Sequence, residues 1–151
     1  MLSRSQLLGA GVTHEALRWR IGRDRRLVLP GVYALQTGPP SQVQRLVAAQ
    51  LLGGPGSWLA GTTAAALHGL RSCSLALPIR LLVPRPQRSR RIAWVDVRAT
   101  SLLGEPVVGR GPLRLGCLPR AVVDATAEGP EERGRSRHHD RSRAAADGQA
   151  R

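Results

Sequence analysis

Residues 1–35 read MLSRSQLLGAGVTHEALRWRIGRDRRLVLPGVYAL, and this stretch decides the fold that the sequence predicts. A short helix is expected from Ser3 to Gly9, followed by a glycine turn and a second helix that Thr13 caps. Two short strands separated by a Pro-Gly turn are expected within 27–35. A helix, a turn, a helix and a β-ribbon in this order are typical of a winged helix-turn-helix, whose second helix enters the DNA major groove.

The second helix has an inward and an outward side. Leu17 and Ile21 are four residues apart and form the inward apolar stripe, whereas His14, Glu15 and Arg18 lie on the opposite side, where they can reach bases and phosphates. The residues predicted to contact DNA are these polar side chains and the neighbouring arginines: Arg4, Thr13, His14, Glu15, Arg18, Arg20, Arg23, Arg25 and Arg26.

The chain carries a formal net charge of +13, and all 23 of its basic residues are arginine. An anionic partner and the arginine bias of a GC-rich genome explain the total equally well, so its distribution matters. Residues 1–35 hold six arginines against two acidic residues, and residues 85–98 hold five against one. The second cluster is equally compatible with a solvated loop and with a second anion contact, which would comprise Arg85, Arg88, Arg90 and Arg91.

The fold class predicted for the whole chain is α+β, with three parts. A winged helix-turn-helix occupies 1–36. A small α/β domain follows over 41–128. It begins with an amphipathic helix at 41–52, for which Ser41 and Gln44 predict a capping box, and it includes a short helix capped by Thr62. Residues 129–151 contain no Leu, Ile, Val, Met or aromatic residue, and such a segment is predicted to be disordered because it buries too little apolar surface.

Signs of an enzyme are weak. The acidic residues Glu105, Asp124 and Glu128 are scattered, and the chain has no lysine to polarise a phosphate beside a metal. These carboxylates are interpreted as surface or capping groups, with structural hydrogen bonds expected for Asp124. His68 precedes a glycine at a helix end, where structural capping is the favoured role. No catalytic residue, cofactor or metal site is predicted.

Cysteine content and hydropathy bear on the compartment. Cys73 and Cys117 are far apart and belong to no CxxC pair, so neither a zinc site nor a disulfide scaffold is indicated. No apolar run approaches the length of a membrane span. The expectation is a cytoplasmic protein with no membrane partner.

Four segments resemble a known family in order and spacing. They are SQLLGAGVTHEALRWRIGRDRRLVLPGVYAL (5–35), LAGTTAAALHGL (59–70), IRLLVPRPQR (79–88) and LPRAVVDATA (118–127). Together they resemble the N-terminal part of AbiEi-family antitoxins of type IV toxin–antitoxin systems, over about residues 1–128. The resemblance implies a winged helix followed by a small α/β domain, with the transferable DNA-reading residues confined to Thr13–Tyr33.

The resemblance also implies a function. AbiEi antitoxins bind double-stranded operator DNA, repress their own operon, and counteract a nucleotidyltransferase toxin without forming a stable complex with it. An alternative is a truncated, non-catalytic remnant of a two-domain protein that carried a C-terminal Vsr-like nuclease domain, because related proteins have such a domain and the composition changes abruptly at Gly129. A module used only for protein contact is a third possibility.

Overall fold

The computed structural model describes residues 1–20, 26–36, 38–101 and 106–128. Within them the chain is a mixed α+β structure, which confirms the predicted fold class at that level. Its elements are, in order, β1 (Leu2–Ser3), α1 (Arg4–Gly9), α2 (His14–Arg20), β2 (Arg26–Leu29), β3 (Val32–Ala34), α3 (Gln42–Gly53), β4 (Trp58–Leu59), α4 (Gly61–Leu67), β5 (Ile79–Pro84), β6 (Arg90–Ile92), β7 (Val95–Thr100), β8 (Val107–Arg110), β9 (Leu113–Gly116) and α5 (Leu118–Ala127).

The first three strands form a small antiparallel sheet in the order β1-β3-β2. Tyr33 lies in the centre and pairs with Leu2 on one side and Leu27 on the other. The hairpin between β2 and β3 turns at Pro30 and Gly31, and Gly31 has a φ of +75°, which glycine adopts without steric cost. The two strands predicted within 27–35 are therefore confirmed.

The remaining strands form a six-stranded mixed sheet in the order β6-β7-β5-β4-β9-β8. The β5–β7 and β4–β9 pairs are parallel, and the other neighbours are antiparallel. The residues Ala93, Val95 and Val97 alternate in the sequence but do not share one face, since only Val95 and Val97 are buried. Ala93 is exposed and has a φ of +49°, because β6 folds back on β7 through a turn at this residue.

Helix α3 packs between the two sheets and against both. Ser41 and Gln44 form the predicted capping box, with Ser41 Oγ 3.3 Å from Gln44 N and Gln44 Oε1 2.9 Å from Ser41 N. Leu46 is buried in a continuous apolar core that also contains Val32 of the small sheet and Leu81 of the large one. The predicted boundary at 37–40 remains a prediction, but the residues on its two sides share this core.

Helices α4 and α5 pack closely because their contact residues are small. Ala64 and Ala65 of α4 meet Ala121 and Ala125 of α5, and all four are buried. Val123 of α5, in contrast, is 62% exposed.

The prediction that Thr62 caps α4 is wrong. Ala60 occupies the N-cap position and forms no side-chain capping hydrogen bond. Thr62 lies inside the first turn, and its hydroxyl donates to a carboxylate oxygen of Glu128 at 2.8 Å. The hydroxyl thus binds the end of α5 instead of the start of its own helix.

Candidate nucleic-acid interface

The turn between α1 and α2 is fixed by local hydrogen bonds at both of its ends. Ser3 caps α1 in a reciprocal capping box with Gln6. At the other end, Gly11 N donates to Leu8 O and Val12 N donates to Leu7 O, each at 3.0 Å. This pair of bonds is the Schellman motif, and Gly11 supplies the left-handed residue that it requires, with a φ of +82°.

Helix α2 begins at the predicted residue and buries the predicted side. Thr13 Oγ1 accepts a hydrogen bond from Ala16 N at 3.1 Å, as expected of an N-cap. Leu17 is buried in a cluster with Leu7 and Tyr33, against which Val12 also packs. This cluster fixes the rotation of α2 about its own axis. The predicted partner of Leu17 in the apolar stripe, Ile21, lies outside the described residues.

The opposite side of α2 presents His14, Glu15 and Arg18 to solvent, and we refer to these three residues as the outer face. Arg4 of α1 lies beside them, with a guanidinium nitrogen 2.8 Å from Nδ1 of His14. Because a guanidinium can only donate, Nδ1 accepts this bond and the ring proton is on Nε2. The contact holds the Arg4 charge next to the outer face.

Trp19 was not among the predicted contact residues, although it lies on the same helix and is 70% exposed. It follows Glu15 by one helical turn, so it extends the outer face toward the end of α2. The signal in the sequence is an aromatic residue that falls outside the stripe begun by Leu17, in a chain with only three tryptophans.

The remaining predicted DNA contacts are the arginines at 20, 23, 25 and 26. Arg26 is exposed at the start of β2. Arg20 is the last residue of α2, and Arg23 and Arg25 lie outside the described residues. The structure therefore brings Arg4, Thr13, His14, Glu15 and Arg18 together.

Replacing Gly11 by alanine is expected to lower the free energy of unfolding by about 1–2 kcal/mol, because an L residue must then adopt the left-handed region. Space is not the cause, since nothing lies within 4 Å of the added Cβ. Gly9→Ala is the matched control: its Cβ is equally unobstructed and its backbone is helical, so stability should be unchanged or slightly raised. Urea unfolding of both variants measures the difference, and equal stabilities would contradict the assigned turn.

The second arginine cluster lies at the edge of the six-stranded sheet. Arg85 begins the turn after β5, and Arg90 and Arg91 belong to the edge strand β6. These three residues and Arg88 are all exposed. Within the described part of the chain, none of the four side chains forms an ion pair. The structure thus leaves four guanidinium groups open to an anion.

Two carboxylates meet at a buried arginine, and one of them, Glu128, is among those that the sequence suggested were scattered. Arg80 of β5 donates to Asp96 of β7, and its Nε lies 3.5 Å from Glu128. The Arg80 side chain is 8% exposed. Of the two roles suggested for Glu128, surface or capping, the surface one is wrong, because the fold encloses it beside Arg80. Its carboxylate instead accepts a hydrogen bond from Thr62 N, in the first turn of α4, at 3.4 Å. Asp124 makes the expected structural bond, to Arg120 Nε at 2.8 Å, and Glu105 lies outside the described residues.

His68 forms a structural hydrogen bond, and the two cysteines are not bonded to each other. His68 is the C-cap of α4, and its Nε2 lies 2.8 Å from the carbonyl oxygen of Gly116, to which it donates. Cys73 and Cys117 are free thiols. Across the residues that the structure describes, no group of three or more His, Cys, Asp and Glu side chains is arranged to hold a metal ion.

The chain was compared with known proteins. No protein-family model matches it, and no curated protein sequence is similar to it. Among the described residues, no helix is both long enough and apolar enough to cross a membrane.

Proposed function

We propose that the protein is a DNA-binding transcriptional regulator that reads duplex DNA with α2 and resembles an AbiEi antitoxin. The observation that carries the proposal is the outer face, whose three polar side chains are exposed together on α2. The opposite side of this helix is buried through Leu17. A helix with polar exposed residues can enter a major groove and read base edges. The β2–β3 hairpin follows α2 in the chain, as a wing follows a recognition helix.

In this proposal the side chains divide into two roles. Arg18 and Glu15 suit base edges, since arginine donates to guanine and a carboxylate accepts from the amino group of cytosine. Arg4 and Arg26 suit phosphates, which position the protein without reading sequence. Arg85, Arg88, Arg90 and Arg91 would provide a second phosphate contact.

The wider biological role is part of the same proposal. The protein would act in the cytoplasm, bind the operator of its own operon, and oppose a nucleotidyltransferase toxin without a stable complex. Three of the four described carboxylates lie in ion pairs, Asp96 and Glu128 with Arg80 and Asp124 with Arg120, and the fourth, Glu15, belongs to the outer face.

Fluorescence anisotropy with the intergenic duplex upstream of the gene tests the proposal. Arg18→Ala should weaken binding about tenfold or more, and Arg4→Ala should weaken it on all sequences while lowering the slope of log K against log salt concentration by about 1. Arg114→Ala is the matched control, because Arg114 is equally exposed but lies on β9.

Two results would overturn the proposal. One is the absence of binding at about 50 mM salt, where phosphate contacts are strong. The other is an equal loss of affinity in Arg18→Ala and Arg114→Ala, which would mean that only total charge matters. A scrambled duplex of the same length separates sequence reading from attraction to any polyanion.

A further inference from the structure

A cavity of about 220 Å³ lies between the first half of α3 and the segment that leads into β5. Its walls are mainly apolar, with Leu46 on the α3 side and Leu75, Leu77 and Ile79 on the other. Leu46 and Ile79 are buried core residues. Because most of the lining is hydrocarbon, an apolar group that enters the cavity loses contact with water and gains contact with the protein.

Three residues with polar side chains line the cavity, and two of these side chains already form hydrogen bonds. Gln42 Nε2 donates to the carbonyl oxygen of Leu75 at 3.2 Å. Thr63 Oγ1 accepts from the backbone N of Arg80 at 3.0 Å. The third is Arg45, which is half-buried. Within the described ranges the Arg45 guanidinium has neither an ion pair nor a hydrogen bond, so its charge is available to a ligand.

We infer that this cavity binds a small apolar carboxylate, with its hydrocarbon part among the leucines and its carboxylate on Arg45. The volume of the cavity limits the size of the ligand. A dry cavity of about 150 Å³ accepts benzene, so a cavity of about 220 Å³ has room for one ring and a short chain. The charge sets the head group, because a guanidinium pairs with a carboxylate through two parallel hydrogen bonds. This site is separate from the outer face of α2 and does not depend on DNA binding.

Titration calorimetry of the full chain without DNA tests the inference, with 3-phenylpropanoate as the probe and 3-phenylpropan-1-ol as its uncharged counterpart. The acid should bind at least tenfold more tightly than the alcohol, since a hydrogen bond to a charged group is stronger than one to a neutral group. Arg45→Ala should remove this preference by weakening the acid while leaving the alcohol nearly unchanged. Arg114→Ala, which changes the net charge equally, should bind the acid as the parent does.

A second variant blocks the cavity without removing the charge. Ala76 lines the cavity but is exposed, so Ala76→Phe should fill the space, leave the fold intact and abolish binding of both probes. Melting curves followed by circular dichroism verify that each variant is folded. The inference is overturned if neither probe binds up to about 10 mM, if acid and alcohol bind equally to the parent, or if Ala76→Phe binds the acid as the parent does.

Discussion

Replacing Arg80 by alanine is expected to lower the free energy of unfolding by about 3–5 kcal/mol, the range found when one partner of a buried ion pair is removed. The side chain is 8% exposed and stands between Asp96 and Glu128, whose side chains are 15% and 11% exposed. Its loss leaves two poorly hydrated negative charges near each other. Urea unfolding followed by circular dichroism measures the effect.

The control is Arg98→Ala. Arg98 also contacts Asp96, with its Nε at 3.3 Å, but its side chain is 56% exposed. An exposed pair of this kind contributes at most about 1 kcal/mol. A triple variant, Arg80→Met with Asp96→Leu and Glu128→Gln, should recover most of the lost stability, because no unpaired charge remains. If Arg80→Ala lowered the free energy of unfolding as little as Arg98→Ala does, water would have to hydrate Asp96 and Glu128 in place of the guanidinium at little cost in free energy.

The features that sequence reasoning predicted correctly are those that residues close in the chain determine. Ser41 and Gln44 are three residues apart, and they form their capping box through hydrogen bonds across a single turn. The inward position of Leu17 follows from helical periodicity. Much of α1, α2 and α3 was therefore predictable.

The features that were missed are determined by the packing of distant segments. Glu128 reaches Thr62 and Arg80 only because α5 lies beside α4 at the end of β5. Thr62 was predicted to cap α4 because it precedes an apolar run. Its hydroxyl instead binds Glu128, which no local pattern reveals. The strand β4 has two residues, too few for periodicity to reveal, yet it joins β5 to β9 in the six-stranded sheet.

The distribution of arginine along the chain predicted which side chains are exposed in one cluster but not the pairing of Arg80. Arg80 belongs to a stretch, 36–84, that has no acidic residue, and a local count of charge suggests that it is unpaired. The fold instead supplies two carboxylates from later in the chain. Arg85, Arg88, Arg90 and Arg91 are exposed as the count suggests. Local charge excess therefore indicates an anion contact only where tertiary structure provides no acidic partner.

Replacing Leu46 by alanine is the second change with a large expected effect. Leu46 is 2% exposed in the core that α3 shares with both sheets. Removing a buried leucine side chain costs about 2–5 kcal/mol, depending on how far the neighbours can relax into the space. Because Val32 and Leu81 belong to the same cluster, the small sheet and the large sheet should lose stability together.

Two probes can separate this outcome from the two-domain division at 37–40 that the sequence suggested. Hydrogen exchange of the β3 amides reports on the small sheet. Tryptophan fluorescence in a Trp19→Phe background, which keeps the buried Trp58 and Trp94 between β6 and β7, reports on the large one. Both should shift by the same free energy in Leu46→Ala. Val43→Ala, on the same helix but at a site that is 58% exposed, should change either by less than about 0.5 kcal/mol. A loss seen by tryptophan fluorescence while β3 keeps its protection would instead mean that the two sheets unfold independently, and that the contact of α3 with β1, β2 and β3 contributes little to stability.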